Sequence, residues 1–337
     1  MADKILVVRN DKLGDFMLSW PAFAILKQSL PDVSIHALVP EYTREMAQVC
    51  PWIDDVVLDP GPQCNALELA RILKPVRYSA MIALFSTLRV GLAACASRIP
   101  VRVAPATKLA QAFYTHRLKQ RRSRSEKPEH EYNADLARHY LRVGGHEVNN
   151  NIRPPYLRFS HDEVNRLRVG FVTTHDIPRN HKLVFLHAGS GGSARNLSKQ
   201  QFQRLSDQLD STNGHCVVVC AGPGEDEAAA DMASGLKTSA HVIFRSQHGL
   251  LNYARHIAFA DLFISGSTGP LHMAGALNRP TAAFYPKRRS ATALRWRTLN
   301  EDSKRLTFRP PDSAGEEDMA AIDRDEAARV INRTFLR

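Results

Sequence analysis

Long uninterrupted apolar runs are missing from this 337-residue chain. No stretch approaches the ~18–20 consecutive apolar residues that a membrane-spanning helix needs. The opening residues, MADKILVVRND, place a short strand where a secretory signal would carry a basic start and a long apolar stretch. Cysteine is scarce. The five (Cys50, Cys64, Cys95, Cys216, Cys220) are odd in number and scattered, which excludes a disulfide framework. Cys216 and Cys220 share one apolar run and read as buried thiols rather than a metal pair. Together these absences set the expectation of a cytoplasmic protein.

Several catalytic signatures are absent as well. The first strand is followed by RNDKLGD, so the G-x-G-x-x-G of a dinucleotide-dependent oxidoreductase is not there. No G-K-S/T phosphate loop and no G-x-S-x-G nucleophile elbow occurs. The lone D-x-D, Asp323-Arg324-Asp325, falls in an amphipathic tail and reads as a solvated helix face. His272 has no His or Cys at ligand spacing around it, so no metal is expected.

What is abundant is positive charge. The formal net charge is +11, with 44% hydrophobic and 23% charged residues, the balance of a soluble globular protein with an anionic partner. Between Lys108 and Lys127 stand seven Lys/Arg and one acidic residue. No RNA-recognition, zinc-finger or helix-turn-helix pattern accompanies them, which argues against nucleic acid. An acidic membrane surface or a phosphorylated glycolipid fits better.

The chain has room for two domains of about 150 residues each. Apolar runs at 4–8, 33–39, 56–58 and 80–85 alternate with helical spacing at 16–30, 42–50 and 67–73. A basic loop over 105–130 breaks the rhythm, a helix follows at 132–143, and 160–181 is polar and carries the boundary. The alternation then restarts, with strands at 182–187, 216–220, 242–244, 262–264 and 281–285. Helices are expected between them at 199–212, 225–234, 250–259 and 270–277. Strand–helix alternation implies a parallel sheet covered on both faces. The expectation is therefore two Rossmann-like doubly wound α/β domains, 1–165 and 166–337. The tail over 316–337 shows helical spacing and can cross back to the first domain.

Four stretches can carry chemistry. In 262–280 an apolar strand runs into a Ser/Gly/Thr/Gly turn and then a helix opening at Pro270. That order leaves free backbone N–H groups at a helix N-terminus, a place for an anion such as a diphosphate. KLGD ends at Asp15, right after the first strand, where open α/β sheets bind ligands; an ordinary helix-capping Asp is the alternative. HAGSGGSARNLS, 187–198, is a glycine-rich loop with Ser190, Ser193 and Arg195 as possible phosphate donors. AGPGEDEAAA, 221–230, is a turn at Gly222 followed by acidic residues, Glu225 before Glu227 as a ribose partner.

SGSTGPLHMAGALNRP, 265–280, resembles the (S/N)-x-D-(S/T)-G-x-x-H-x-A-A-A-L-x-x-P signature of glycosyltransferase family 9, the bacterial lipopolysaccharide heptosyltransferases. KLGDFMLSWPAF, HAGSGGSARNLS and AGPGEDEAAA fall in the family's order, so the resemblance spans nearly the whole chain. It implies the GT-B architecture, two Rossmann-like domains facing a cleft. It also implies a metal-independent, inverting transfer of heptose from ADP-heptose to the lipopolysaccharide inner core at the inner membrane. Asp15 then matches the catalytic base, and Lys12 in the same loop meets the base or an acceptor phosphate. Ser190, Arg195, Thr268, Gly269 and His272 line the donor diphosphate, and Gly222 and Glu225 the nucleoside. Arg121, Arg122 and Arg124 of the basic run serve the acceptor. Two departures stand out. Ser267 occupies the place of the family's donor-sugar Asp, and Arg195 that of a Lys. A different nucleotide sugar, or a GT-B protein that binds without turnover, are the alternatives this leaves.

Overall fold

The computed structural model describes residues 3–106, 109–189, 195–237 and 240–337. Contacts divide the chain into two units, Met1–Arg153 and Pro154–Arg337, a division earlier than residue 165.

The first unit contains, in order, β1 (Lys4–Val8), α1 (Leu13–Met17), α2 (Trp20–Ser29), β2 (Ser34–Pro40), α3 (Arg44–Gln48) and β3 (Asp55–Asp59). It continues with α4 (Ala66–Leu73), β4 (Ala80–Ala83), α5 (Leu88–Ala96), β5 (Val101–Pro105), β6 (His116–Leu118) and α6 (Glu129–Val143). The strands form one parallel sheet in the order β3-β2-β1-β4-β5-β6. Helices cover both faces, which is why β1 is apolar throughout rather than alternating. Leu6, Val8, Met81 and Ala83 bury one face against Leu69 and Leu73 of α4 and Val90 and Ala94 of α5. Asn65 starts α4 with a capping box completed by Glu68.

The second unit contains α7 (His161–Thr174), β7 (Lys182–His187), α8 (Lys199–Asp207), β8 (His215–Ala221), α9 (Asp226–Ser234) and β9 (His241–Arg245). Then come α10 (Gly249–Ile257), β10 (Leu262–Gly266), α11 (Gly269–Ala276), β11 (Thr281–Phe284), β12 (Arg305–Phe308) and α12 (Arg324–Ile331). Its parallel sheet runs β12-β11-β10-β7-β8-β9, so the two units are wound in the same sequence. Val184, Leu186, Val217, Val219 and Ile264 pack against Phe202 of α8 and Ile331 of α12. The tail is tied to this unit: Lys182 Nζ donates to Phe335 O at 2.7 Å and Asn332 Nδ2 to Gln208 O at 3.0 Å.

Two segments differ from their sequence reading. The polar stretch expected to hold the boundary forms α7, whose Ser160 cap accepts from Glu163 N at 3.2 Å. Few of its side chains are apolar and buried, but Phe171 packs against Phe185, Phe244 and Phe259, and Arg168 bonds Asp261 Oδ2, Phe259 O and His181 O at 2.9–3.1 Å. The basic run is not one open loop either. His116–Leu118 pairs with β5 as an edge strand, where exposed Arg117 discourages further edge pairing.

In each unit the strand order reverses at one place, between β1 and β4 and between β7 and β10. Open α/β sheets bind ligands at such crevices, outside the carboxyl ends of the strands.

Candidate functional site

At the β1/β4 crevice the residue after β1 is Arg9, only 2% exposed. Its guanidinium collects four partners. Nε donates to Asp11 Oδ1 at 2.9 Å, Nη1 to Glu129 Oε1 at 2.9 Å and Asn133 Oδ1 at 3.0 Å, and Nη2 to Asp15 Oδ1. Asp15 sits in the first turn of α1, and Glu129 and Asn133 come from α6. Asn133 also donates to Leu18 O at 3.1 Å, which closes α6 onto the α1–α2 junction.

Burial pushes the Asp15 carboxyl up to about 6; Arg9 opposes the rise, while Asp11 and Glu129 add to it. Asp11 is raised for the same first reason. Burial alone would lower the Arg9 guanidinium, but the three carboxylates around it raise it instead. The result is a carboxylate that is ionised at neutral pH yet basic enough to accept a proton, held in one orientation by a permanent cation. The Tyr42 hydroxyl closes one side, donating to Asp11 O at 2.5 Å.

Lys12 and the arginines of the basic run take different places. Lys12 is exposed at the start of α1, and Arg121 and Arg124 are exposed after β6. Arg121 lines a hollow of about 460 Å³ together with Lys119, Lys127, His139 and Arg142. Arg122 turns inward, donating through Nη1 to Glu129 Oε1 at 3.0 Å and Leu84 O at 3.1 Å. It therefore supports the Arg9 network through Glu129.

The β7/β10 crevice is built from small groups. Ser265 Oγ donates to His187 O at 2.8 Å and lies 3.0 Å from Thr268 Oγ1. Thr268 caps α11, accepting from Leu271 N at 3.4 Å, with Pro270 in the first turn. The half-buried Ser267 and Gly269 flank it. His272 is 2% exposed, its ring centroid 6.5 Å from that of Trp296.

Glu225 reaches back across the adjacent strand end. Its Oε2 accepts from Gly222 N at 2.9 Å, and a Cβ on Gly189 would lie 2.2 Å from its Oε1. Only glycine at 189 leaves room for that carboxylate. Glu225 is half-buried and Glu227 exposed, which orients the former toward the strand ends. The neighbouring His187 imidazole, fully enclosed, has its pKa lowered by burial, with Glu225 pulling the other way. Arg195 is exposed, its Nε 3.7 Å from Glu317 Oε2. Ser190 lies outside the described residues.

Arg9, Glu129 and Asn133 were not anticipated from the sequence, nor was Arg288, which bonds Glu317. An Arg at the end of an apolar strand was the one available signal. Among the described residues no three His, Cys, Asp or Glu side chains converge as a metal set. The D-x-D is spent on the tail helix: Asp323 caps α12, and Asp325 accepts from Gln208 Nε2 at 2.7 Å. Among the described residues no helix is long and apolar enough to cross a membrane.

The family profile for glycosyltransferase family 9 (heptosyltransferase) matches residues 66–307. A Haemophilus influenzae protein provisionally named a glycosyltransferase is 44% identical, covering 95% of this chain and 92% of that protein. A family 9 glycosyl transferase structure from Veillonella parvula is 15% identical with a TM-score of 0.81, covering 99% of this chain and 97% of the other. The ADP-heptose lipopolysaccharide heptosyltransferase II of E. coli is 18% identical with a TM-score of 0.78, covering 99% and 98%. These two structures share the fold, which makes both units parts of a GT-B-type architecture.

Proposed function

The chain belongs to glycosyltransferase family 9 and is a glycosyltransferase, and from that premise we propose that it moves a heptose from ADP-L-glycero-D-manno-heptose to the inner core of lipopolysaccharide. The transfer inverts the anomeric centre, uses no cofactor or metal, and takes place at the cytoplasmic face of the inner membrane. The observation that carries this reading is Asp15, a buried carboxylate raised to about 6 and oriented by Arg9 at a sheet crevice. A module that only bound a nucleotide or glycan would have no use for such a base.

In the reaction Asp15 takes the proton from the acceptor hydroxyl as its oxygen attacks the anomeric carbon. The glycosidic bond forms as the bond to the ADP β-phosphate breaks, and ADP leaves with the electron pair. Thr268 and Gly269, at the N-terminus of α11, offer backbone N–H groups to the departing diphosphate, and Arg195 adds a guanidinium. Ser190, five residues before Arg195 in the sequence, is a further donor to the diphosphate, and His272 backs the helix from within. Gly222 and Glu225 take the nucleoside, with the carboxylate accepting from ribose hydroxyls. Lys12, Arg121 and Arg124 meet the anionic acceptor, and Arg122 acts through Glu129.

Ser267 favours a second reading, the same chemistry with a different nucleotide sugar, because the family's Asp is replaced there. The test is incubation with a panel of ADP-, UDP- and GDP-sugars and core acceptors of increasing length, with products read by mass spectrometry. Transfer from ADP-heptose alone, undiminished by EDTA, is the expected result. Transfer only from another sugar nucleotide selects the second reading, strict dependence on added Mg²⁺ or Mn²⁺ removes metal independence, and no transfer from any donor refutes both.

A further inference from the structure

Two arginines from distant segments of the second unit meet one carboxylate. Arg195 Nε lies 3.7 Å from Glu317 Oε2, and Arg288 Nη1 donates to Glu317 Oε1 at 3.2 Å. Arg195 follows β7 and Arg288 follows β11, and in the sheet β10 lies between those two strands. The turn that leaves β10 for α11 is therefore bracketed by the two segments that supply the guanidiniums.

The arrangement is anchored. Lys287 Nζ is enclosed by three carbonyls, donating to Pro311 O at 2.6 Å, Asp312 O at 3.0 Å and Ala314 O at 2.9 Å. Its backbone N–H donates to Glu316 O at 2.7 Å, which sets the chain just before Glu317. Further along, Trp296 Nε1 donates to Ser290 O at 2.8 Å, and the Trp296 ring stands beside His272 of α11. Of the adjacent cations in Lys287-Arg288, the first is consumed in fixing the backbone. The second keeps its side chain 61% exposed.

We propose that Arg288 is a second guanidinium for the donor diphosphate, acting with Arg195, and that Glu317 is a counter-charge which the diphosphate displaces. The proposal rests on the nucleotide-donor reading above. Glu317 is 40% exposed and Arg195 73%, so both ion pairs are solvated, and pairs of that kind are weak and readily broken. A diphosphate presents more charge and accepts parallel hydrogen bonds from each planar guanidinium. Exchange of one carboxylate for the diphosphate therefore favours the bound state. While the site is empty, Glu317 keeps two like charges together. During binding it competes for both of them.

Calorimetric titration with ADP and with adenosine, on the full chain at low salt, tests this. Arg288→Ala should weaken ADP binding by about tenfold, the loss of one charge-assisted contact, with adenosine unaffected and Arg288→Lys recovering part. Glu317→Gln should tighten ADP binding by about threefold, the scale of one exposed pair, and 0.5 M salt should erase the gain. Opposite signs for the two variants cannot come from damage to the fold, and unchanged adenosine binding confirms an intact nucleoside site. If ADP binds the unmodified protein but both variants leave it unchanged, or shift it the same way, the proposal is overturned while the donor reading stands. If neither ADP, UDP nor GDP binds the unmodified protein, the donor reading itself fails.

Discussion

The two sheet crevices occupy the same topological position, yet their chemistry is opposite. At β1/β4 a buried guanidinium is surrounded by Asp11, Asp15 and Glu129, with Arg9 at 2% exposure. At β7/β10 the inner groups are uncharged: Ser265, Thr268 and two strand-end glycines, with Glu225, Arg195 and Arg288 around them. Winding fixes where a ligand can lie, and the side chains at the strand ends decide what happens there. A dense buried charge network suits the handling of one proton. A crevice whose inner groups are uncharged and which offers backbone donors suits a large polyanion.

The sharpest test of that division is Asp15→Asn. We expect kcat to fall by about 10²–10⁴-fold, the usual loss for a missing general base, while ADP affinity stays unchanged. In the unmodified protein kcat/KM should drop below pH 6, as Asp15, raised to about 6, takes up its proton. The sign for stability is the reverse. A folded pKa above the unfolded ~3.9 means this group favours the folded state most at low pH, a contribution lost as pH rises through about 6. Asp15→Asn should therefore be more stable near pH 7.5, by on the order of 1 kcal/mol in urea denaturation. A stable, inactive variant that has also lost ADP binding would collapse the separation of roles.

Glu225→Ala probes the other crevice. Its ADP dissociation constant should rise about tenfold, one hydrogen bond to a charged group, with the pH profile of kcat/KM unmoved. A shifted pH profile instead would tie Glu225 to proton transfer. The smallest effect is expected from the periphery of the first unit. Arg121→Ser with Arg124→Ser should raise the acceptor KM a few-fold and flatten its salt dependence, at about 1 kcal/mol or less per charge. Arg122→Ala differs in kind, since its bonds to Glu129 and Leu84 are internal, and it should lower the melting temperature. Equal behaviour of all three arginines would show that Arg122 is not part of the Arg9 network.

Much of the second crevice was legible in the sequence because it is local. Strand, turn and helix follow one another over 262–277, and the free N–H groups follow from that order alone. Asp15, six residues beyond Arg9, stood out only through its match to the family's motif, since local order left a helix-capping role open. What sets its chemistry was not legible, since Glu129 reaches Arg9 across 120 residues of sequence and Asn133 across 124. No periodicity announces such a convergence. Helix α7 escaped because only Phe171 and Val172 of it are buried, and β6 because it is three residues long with an exposed Arg117 at its centre. The order Glu225 before Glu227 was already readable, but the contact of the Glu225 carboxylate with the Gly222 N–H and beside Gly189 was not.

One detail of the second unit constrains how this sequence can drift. A Cβ on Gly266 would come within 2.3 Å of Asn196 Oδ1. Asn196 is not free to yield, because its Nδ2 lies 3.3 Å from Ala188 O and its Oδ1 accepts from Leu197 N at 2.9 Å. The two positions are therefore not independent letters. A descendant that gains a side chain at 266 must first shrink or redirect the one at 196, and so give up its bonds to Ala188 O and Leu197 N.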